Sequence, residues 1–131
     1  MREILFRGKR MDNGEWVYGY YVHIGPVSCQ RTYIIPEYAS ALYVNEVYPS
    51  TVGQYTGLKD KHGKRIFEGD IAKVLQGKDK DIAYVGFENG AFMLYPKTGN
   101  IYERTLWSYW YNDWDVEVIG NITDNPELLE K

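Results

Sequence analysis

The chain has little of what disulfide scaffolds and metal modules need. It contains one cysteine, Cys29, and two histidines, His23 and His62, among 131 residues. A single cysteine cannot close an internal disulfide, and these three side chains cannot complete a zinc site without carboxylate help. The sequence therefore predicts neither class of protein, and we expect no metal and no cofactor.

Long apolar runs and a strong excess of positive charge are also missing. No run approaches the ~18 apolar residues of a membrane span, and the opening MREILFRGKR has charges where a signal peptide is apolar. We therefore expect a cytoplasmic protein. Fifteen Lys and Arg against eighteen Asp and Glu give a net charge of -3, which disfavours nucleic acid as a general partner.

Aromatic residues and single glycines are abundant instead. Thirteen Tyr, four Trp and four Phe make up 16% of the chain. Strand surfaces hold such side chains well. Thirteen glycines, spread singly, indicate many tight turns. This composition predicts a turn-rich β protein.

The first part of the chain reads as a hairpin followed by a less regular segment. Asn13-Gly14 favours a tight turn between residues 3–7 and a second arm over residues 16–23, both faces of which we expect to be at least half covered. Residues 33–35 read as a short strand ended by Pro36, and residues 37–49 mostly as loop.

The second part shows a sharper pattern of alternating strands and turns. Its predicted strands are residues 52–57, 65–67, 71–75, 82–87, 91–95 and 115–122, with polar turns at 58–64 and 68–70 and a polar loop at 76–81. Three successive antiparallel arms are typical of small barrels. We therefore expect a mainly β protein, with an N-terminal β-hairpin region over residues 1–50 continuous with an SH3-like barrel over residues 51–131.

One or two short helical segments complete this prediction. Residues 102–114 fit a helix at spacing four and a strand at spacing two, so periodicity leaves the choice open. Residues 125–130 resemble a capped helical turn, with Asn125 as the cap and Pro126 at the first position.

Three blocks of sequence resemble a known family. They are REILFRGKR at residues 2–10, VGQYTGLKDKHGKRIFEGDI at 52–71 and EVIGNITDNPELL at 117–129. In this order they are similar to the YopX family of phage and prophage proteins. The resemblance implies a phage-encoded protein that acts in the bacterial cytoplasm and assembles with copies of itself, in a family without an assigned biochemical role.

Catalytic motifs are weak. Gly57 to Lys64 approaches a phosphate-binding P-loop, but it has five residues between its glycines and runs into a strand, so a hairpin turn is favoured. Cys29 with either histidine has no local support as a nucleophile, and Asp113 with Asp115 lacks a third metal ligand. We expect no catalytic residue and no enzyme.

An aromatic block offers an interaction surface. Either periodicity leaves some of its rings off the core-facing stripe, and Tyr and Trp are enriched at protein interfaces. The candidates for self-association are Trp107, Trp110, Tyr111 and Trp114. Equally, a barrel and a helix could enclose the whole block, which also includes Tyr102 and Tyr109.

A basic turn offers a second, less favoured surface. Residues 57–65 hold four basic side chains against one acidic: Lys59, Lys61, Lys64 and Arg65. They would suit single-stranded nucleic acid, although a solvated hairpin tip is the simpler interpretation. We therefore expect a non-enzymatic protein that assembles with itself or with a phage or host protein, with nucleic-acid binding as the alternative.

Overall fold

The computed structural model describes residues 3–26, 30–37, 44–99, 101, 104–111 and 115–130. Within these ranges the protein is mainly β, as predicted, with one short helix, α1 (Leu106–Tyr111), and 3-10 turns at Pro49–Thr51 and Pro126–Leu129. The strands are β1 (Phe6–Lys9), β2 (Trp16–Ile24), β3 (Arg31–Pro36), β4 (Asn45–Glu46), β5 (Gly53–Lys59), β6 (Arg65–Phe67), β7 (Asp70–Gln76), β8 (Asp79–Glu88), β9 (Ala91–Pro96), β10 (Arg104–Thr105) and β11 (Asp115–Asn121).

The chain divides into two compact units, Met1–Tyr55 and Thr56–Lys131. The division falls inside β5, a little after the boundary at residue 50 that the sequence suggested. Because the division lies within a strand, the sequence has no linker of distinct composition at that point. The prediction of a single domain stays a prediction.

The first unit contains β4, β3, β2, β1 and the start of β5, which pair antiparallel side by side in that order. The predicted hairpin turn joins β1 to β2, with Gly14 at a φ of 71°. Val17, Ile34 and Val47 form its buried core. Tyr20 is 55% exposed, so the expectation that both faces of β2 are half covered was wrong there. One face of an antiparallel sheet can remain exposed to solvent, so a strand such as β2 needs only one covered face.

The second unit contains a sheet with the order β10-β9-β8-β7-β11. Strands β7, β8 and β9 form the predicted meander. A tight turn at Gly77 replaces the predicted loop over residues 76–81. Gly77 takes a φ of 63°, and the pairing of β7 with β8 therefore continues as far as Gln76 and Asp79.

The predicted SH3-like barrel does not close among the described strands. The five-stranded order is open, with β10 at one edge and β11 at the other. The 60–64 turn lies along β11, where the Lys61 backbone N–H donates to the Val116 carbonyl at 3.0 Å. The turn thus occupies part of an edge that barrel closure would have to pair with another strand.

Helix α1 settles part of the stretch that periodicity left open. Leu106 and Tyr109, three residues apart, are fully buried in the core of the second unit. Leu94, Val85 and Val116 belong to the same core. Burial of the pair at helical spacing explains why residues 106–111 form a helix.

The C-terminal turn keeps its predicted place but not its predicted cap. Pro126 occupies the first position of the 3-10 turn, and the Asn125 side chain makes no capping bond. The Asn125 side-chain oxygen accepts the Asn121 backbone N–H at 3.2 Å instead. It therefore ties the turn back to the end of β11.

We predict that Gly69→Val destabilises the protein by on the order of 1–3 kcal/mol, because a β-branched residue is strained at its φ of 92°. Both backbone groups are engaged, with the Gly69 N–H donating to Val85 and its carbonyl accepting from Ile122. Urea unfolding followed by tryptophan fluorescence measures the loss. Gly69→Asn is the control and should lose less, since Asn tolerates positive φ better. Equal stability of the Val variant and the wild type would contradict the strain.

Candidate interaction surfaces

A groove of about 380 Å³ lies beside Trp107 in the second unit. Trp107 is 56% exposed, whereas its neighbour Leu106 is fully buried. The other lining residues are Thr56, Gly57, Leu58, Ala91, Phe92 and Thr105. The groove is therefore mainly apolar, and it is open to solvent on the side of the Trp107 ring.

Local structure directs Trp107 outward. The Thr105 hydroxyl oxygen accepts the Ser108 backbone N–H at 3.2 Å and lies 2.9 Å from the Ser108 hydroxyl. This is the position of a helix N-cap, and it fixes the first turn of α1. Since Leu106 and Tyr109 face the core, Trp107 must lie on the other side of the helix.

The other wall of the groove is also held in place. The Phe92 ring meets the Phe87 ring edge to face at 5.1 Å. Gly57 has a φ of 88° and no side chain to fill the space. On this side the groove is therefore bounded by the packed ring of Phe92 and by the bare backbone of Gly57.

The structure places one of the four predicted self-association residues at this groove. Trp107 is exposed there, while Trp110 and Tyr111 lie in α1 with side chains outside the described residues. Trp114 lies outside the described residues altogether, as does Tyr102. Tyr109 is a core residue, and burial raises the pKa of its phenol to about 12.

The basic turn is organised around the carboxylate of Asp60. One oxygen of Asp60 accepts the backbone N–H groups of His62 and Lys64, both at 2.9 Å, and the other accepts that of Val118 at 3.0 Å. Asp60 is buried. One side chain therefore closes the turn and attaches it to β11. Sequence reasoning missed this role, although an Asp at the start of a polar turn is a signal for it.

The charge of Asp60 is stabilised by these bonds. Burial by itself would raise the pKa of Asp60, but the N–H groups of Val118, Lys64 and His62 outweigh it, so the pKa lies below its ordinary value. The carboxylate is therefore ionised at neutral pH.

Part of the positive charge of the turn has an acidic partner. Glu117 on β11 lies 3.9 Å from the Lys61 ammonium and 3.4 Å from the His62 ring nitrogen. Lys59 and Lys64 are exposed, and Arg65 is half-buried on β6. The P-loop alternative is excluded, because Lys64 leads into a strand where a P-loop would begin a helix. The hairpin-turn interpretation is confirmed.

Basic residues near the N-terminus have partners inside the first unit. The Arg7 guanidinium lies 4.8 Å from the centre of the Trp16 ring, and the Lys9 ammonium lies 5.6 Å from it. Arg10 pairs with Asp12 at 2.6 Å. These cations are used in local cation–π and ionic contacts.

The weak catalytic candidates do not gather into a site in the described residues. Cys29 and Asp113 lie outside the described ranges, and His23 makes a 3.0 Å hydrogen bond with the Thr32 hydroxyl. Asp115 is exposed on β11. Where the structure describes the chain, no three metal-ligating side chains cluster, and no helix is long and apolar enough to cross a membrane. Absence of catalysis, metal and cofactor stays a prediction.

Comparisons with known proteins bear on the whole chain. A family model described as YopX protein matches residues 5–130, which confirms the resemblance drawn from the three sequence blocks. The crystal structure of protein EF1440 from Enterococcus faecalis has a TM-score of 0.56 at 23% identity, covering 99% of this chain and 100% of that one. At that identity the likeness shows a shared fold alone. No curated protein matches the chain.

We predict that Asp60→Asn lowers the free energy of unfolding at pH 7 by about 1–3 kcal/mol, because buried N–H groups lose a charged acceptor. The folded-state pKa is depressed, so the stabilisation is present above the unfolded pKa of about 4 and is lost as pH falls through the folded pKa. Urea unfolding at pH 7 and pH 3 should therefore show the two proteins converging in acid.

The matched control is Asp12→Asn, which removes an exposed carboxylate paired with Arg10. We expect it to leave stability nearly unchanged at either pH, because solvent screens an exposed ion pair. A difference between Asp60→Asn and wild type that is the same at both pH values would show that the charge of Asp60 does not stabilise the turn.

Proposed function

The chain belongs to the YopX family, and on this premise we propose that it is a phage- or prophage-encoded protein of the bacterial cytoplasm that acts by binding protein, without catalysis. Its first partner is a second copy of itself. A phage or host protein at the same surface is the further possibility.

The exposed ring of Trp107 beside the apolar groove is the observation that carries this proposal. An indole that is 56% exposed has a large apolar area in water. Covering it would contribute on the order of 2–3 kcal/mol to association. Phe92 and Leu58 line the groove next to it. Tryptophan beside a preformed pocket is typical of residues that dominate binding energy.

We predict that the purified protein self-associates and that Trp107→Ala weakens the oligomer by about tenfold or more in dissociation constant. Size exclusion with light scattering measures the mass across a concentration series. Tyr20→Ala is the matched control, because Tyr20 is 55% exposed but lies in the first unit, outside the groove. It should leave the oligomer unchanged.

Two results would contradict self-association through the groove. One is a mass near 15.3 kDa at every concentration up to the high micromolar range. The other is an oligomer that Trp107→Ala leaves intact.

Nucleic-acid binding through the basic turn is the weaker alternative. Lys61 is near Glu117, and the net charge of -3 opposes the approach of a polyanion. We predict dissociation constants for single strands no better than roughly 10⁻⁴ M at physiological salt. Fluorescence anisotropy with labelled oligonucleotides across a salt series measures this.

A variant of the turn provides the decisive comparison. We expect the replacement of Lys59, Lys61, Lys64 and Arg65 by Ser to leave both affinity and salt slope unchanged. Lys78→Ser, at the β7–β8 turn, controls for loss of a positive charge elsewhere. Submicromolar binding that the fourfold variant loses and Lys78→Ser keeps would make nucleic acid the primary partner.

A further inference from the structure

Two Asn-Gly pairs occur in the sequence, at Asn13-Gly14 and at Asn89-Gly90. Each lies in an exposed turn, the first between β1 and β2 and the second between β8 and β9. In such a pair the backbone nitrogen of the glycine is a nucleophile next to the side-chain amide of the asparagine, and glycine has no Cβ to hinder its attack. Both pairs therefore carry the same chemistry, and the local structure decides which of them reacts.

The turn at Asn89-Gly90 is tight. Glu88 and Ala91 pair directly across it, so only two residues join β8 to β9. Asn89 takes a φ of 54° and Gly90 a φ of 83°, and a positive φ at both residues is typical of a type I′ hairpin turn. The ladder of paired residues therefore ends at the flanking pair, and the two turn residues lie beyond it.

The reacting groups of this turn are not engaged elsewhere. Within the described part of the chain, neither the Gly90 N–H nor the Asn89 side chain has a hydrogen-bond partner. Both residues are exposed, and a Cβ added to Gly90 would meet no atom within 4 Å. The nucleophile and the amide that it attacks are therefore both available in the folded protein.

The Asn13-Gly14 pair has the opposite arrangement. The Gly14 N–H donates to the Arg10 carbonyl at 3.0 Å, so the nucleophile is engaged. The Asn13 side-chain oxygen accepts the Glu15 N–H at 2.9 Å, and the Asn13 side-chain nitrogen donates to a Glu15 carboxylate oxygen at 3.4 Å. Reaction at this pair requires these bonds to open first, which lowers the population that can react.

The other asparagines in the described ranges are less suited to the same reaction. Asn45 and Asn121 are each followed by a residue whose side chain crowds the attacking nitrogen. Asn125 is followed by proline, which has no N–H. Asn89 is therefore the described asparagine that is best placed to react.

We propose that Asn89 deamidates spontaneously in the folded protein, ahead of Asn13. The Gly90 nitrogen attacks Cγ of Asn89 and gives its proton to water, and the new C–N bond closes a succinimide ring. The bond from Cγ to Nδ2 breaks, water returns a proton to Nδ2, and this nitrogen leaves as ammonia. Nothing is oxidised or reduced, and water is the only co-reactant. The proposal is independent of self-association through the groove.

Hydrolysis of the succinimide gives two products. Water that cleaves the bond between Cγ and the Gly90 nitrogen leaves an ordinary aspartate at position 89, with one added negative charge. Water that cleaves the bond between the main-chain carbonyl carbon and the same nitrogen leaves an isoaspartate, in which the chain runs through Cγ. Direct hydrolysis of the side-chain amide gives aspartate alone, so isoaspartate identifies the route through the ring.

The two products differ in their effect on the hairpin. Aspartate tolerates a positive φ, so the turn keeps its shape. Isoaspartate adds a carbon atom to the backbone of a two-residue turn, and we expect it to disturb the Glu88–Ala91 pair. The next pair in the ladder joins Phe87 to Phe92, whose ring centroids lie 5.1 Å apart. The modification is therefore one ladder position away from an aromatic contact at the wall of the groove.

The test follows deamidation of the full chain in native buffer and in concentrated urea, at the same mildly alkaline pH. Peptide mass spectrometry measures the modified fraction at each Asn-Gly pair, and electron-transfer fragmentation separates aspartate from isoaspartate. In native buffer we expect Asn89 to react about fivefold faster than Asn13 or more, because the Gly14 N–H must first lose its bond. In urea the two rates should agree within about twofold, since unfolding removes the bonds that protect Asn13.

Matched variants of the two turns provide the control. Asn89→Asp removes the reactive amide and keeps a residue that tolerates a positive φ, so the native protein should lose most of its rapid release of ammonia. Asn13→Asp should leave that release unchanged.

Three results would overturn the proposal. One is a ratio of the Asn89 rate to the Asn13 rate that is the same in native buffer and in urea. Another is modification of Asn89 that yields no isoaspartate. The third is a rapid release of ammonia that Asn89→Asp leaves intact.

Discussion

The carboxylate of Asp60 is the contact on which the organisation of the second unit depends. It accepts three backbone N–H groups, two from its own turn and one from Val118 on β11. Charged hydrogen bonds of this kind are about twice as strong as neutral ones. They join the β5–β6 turn to an edge strand that is distant in sequence, and so they fix the turn, the edge and the end of β5 relative to one another.

Both candidate surfaces of the second unit follow from this arrangement. The end of β5 contributes Gly57 and Leu58 to the groove, opposite the exposed ring of Trp107. Glu117 on β11 contacts Lys61 and His62 of the same turn. A single structural carboxylate thereby influences an apolar surface and a basic one.

Much of the fold could be predicted from local signals. The Asn13-Gly14 pair marked the first hairpin because few other residues tolerate the positive φ of such turns, and Gly14 takes a φ of 71°. The pattern of alternating strands and turns predicted the meander of β7, β8 and β9. The sequence did not predict that this sheet is open, with β10 and β11 at its edges. The hydrogen bonds that cover an edge, such as the one from the Lys61 N–H to the Val116 carbonyl, join residues far apart in the chain.

The sequence by itself determined the strand-rich class, the position of most turns and the family, since each depends on short patterns of residues. Tertiary structure alone decided that Asp60 is a structural centre, that Trp107 is exposed while Tyr109 is buried, and that Glu117 lies beside Lys61 and His62. The reason is that burial and cross-strand neighbours are set by register between strands. Composition and periodicity along one strand carry no record of which residue lies across from it.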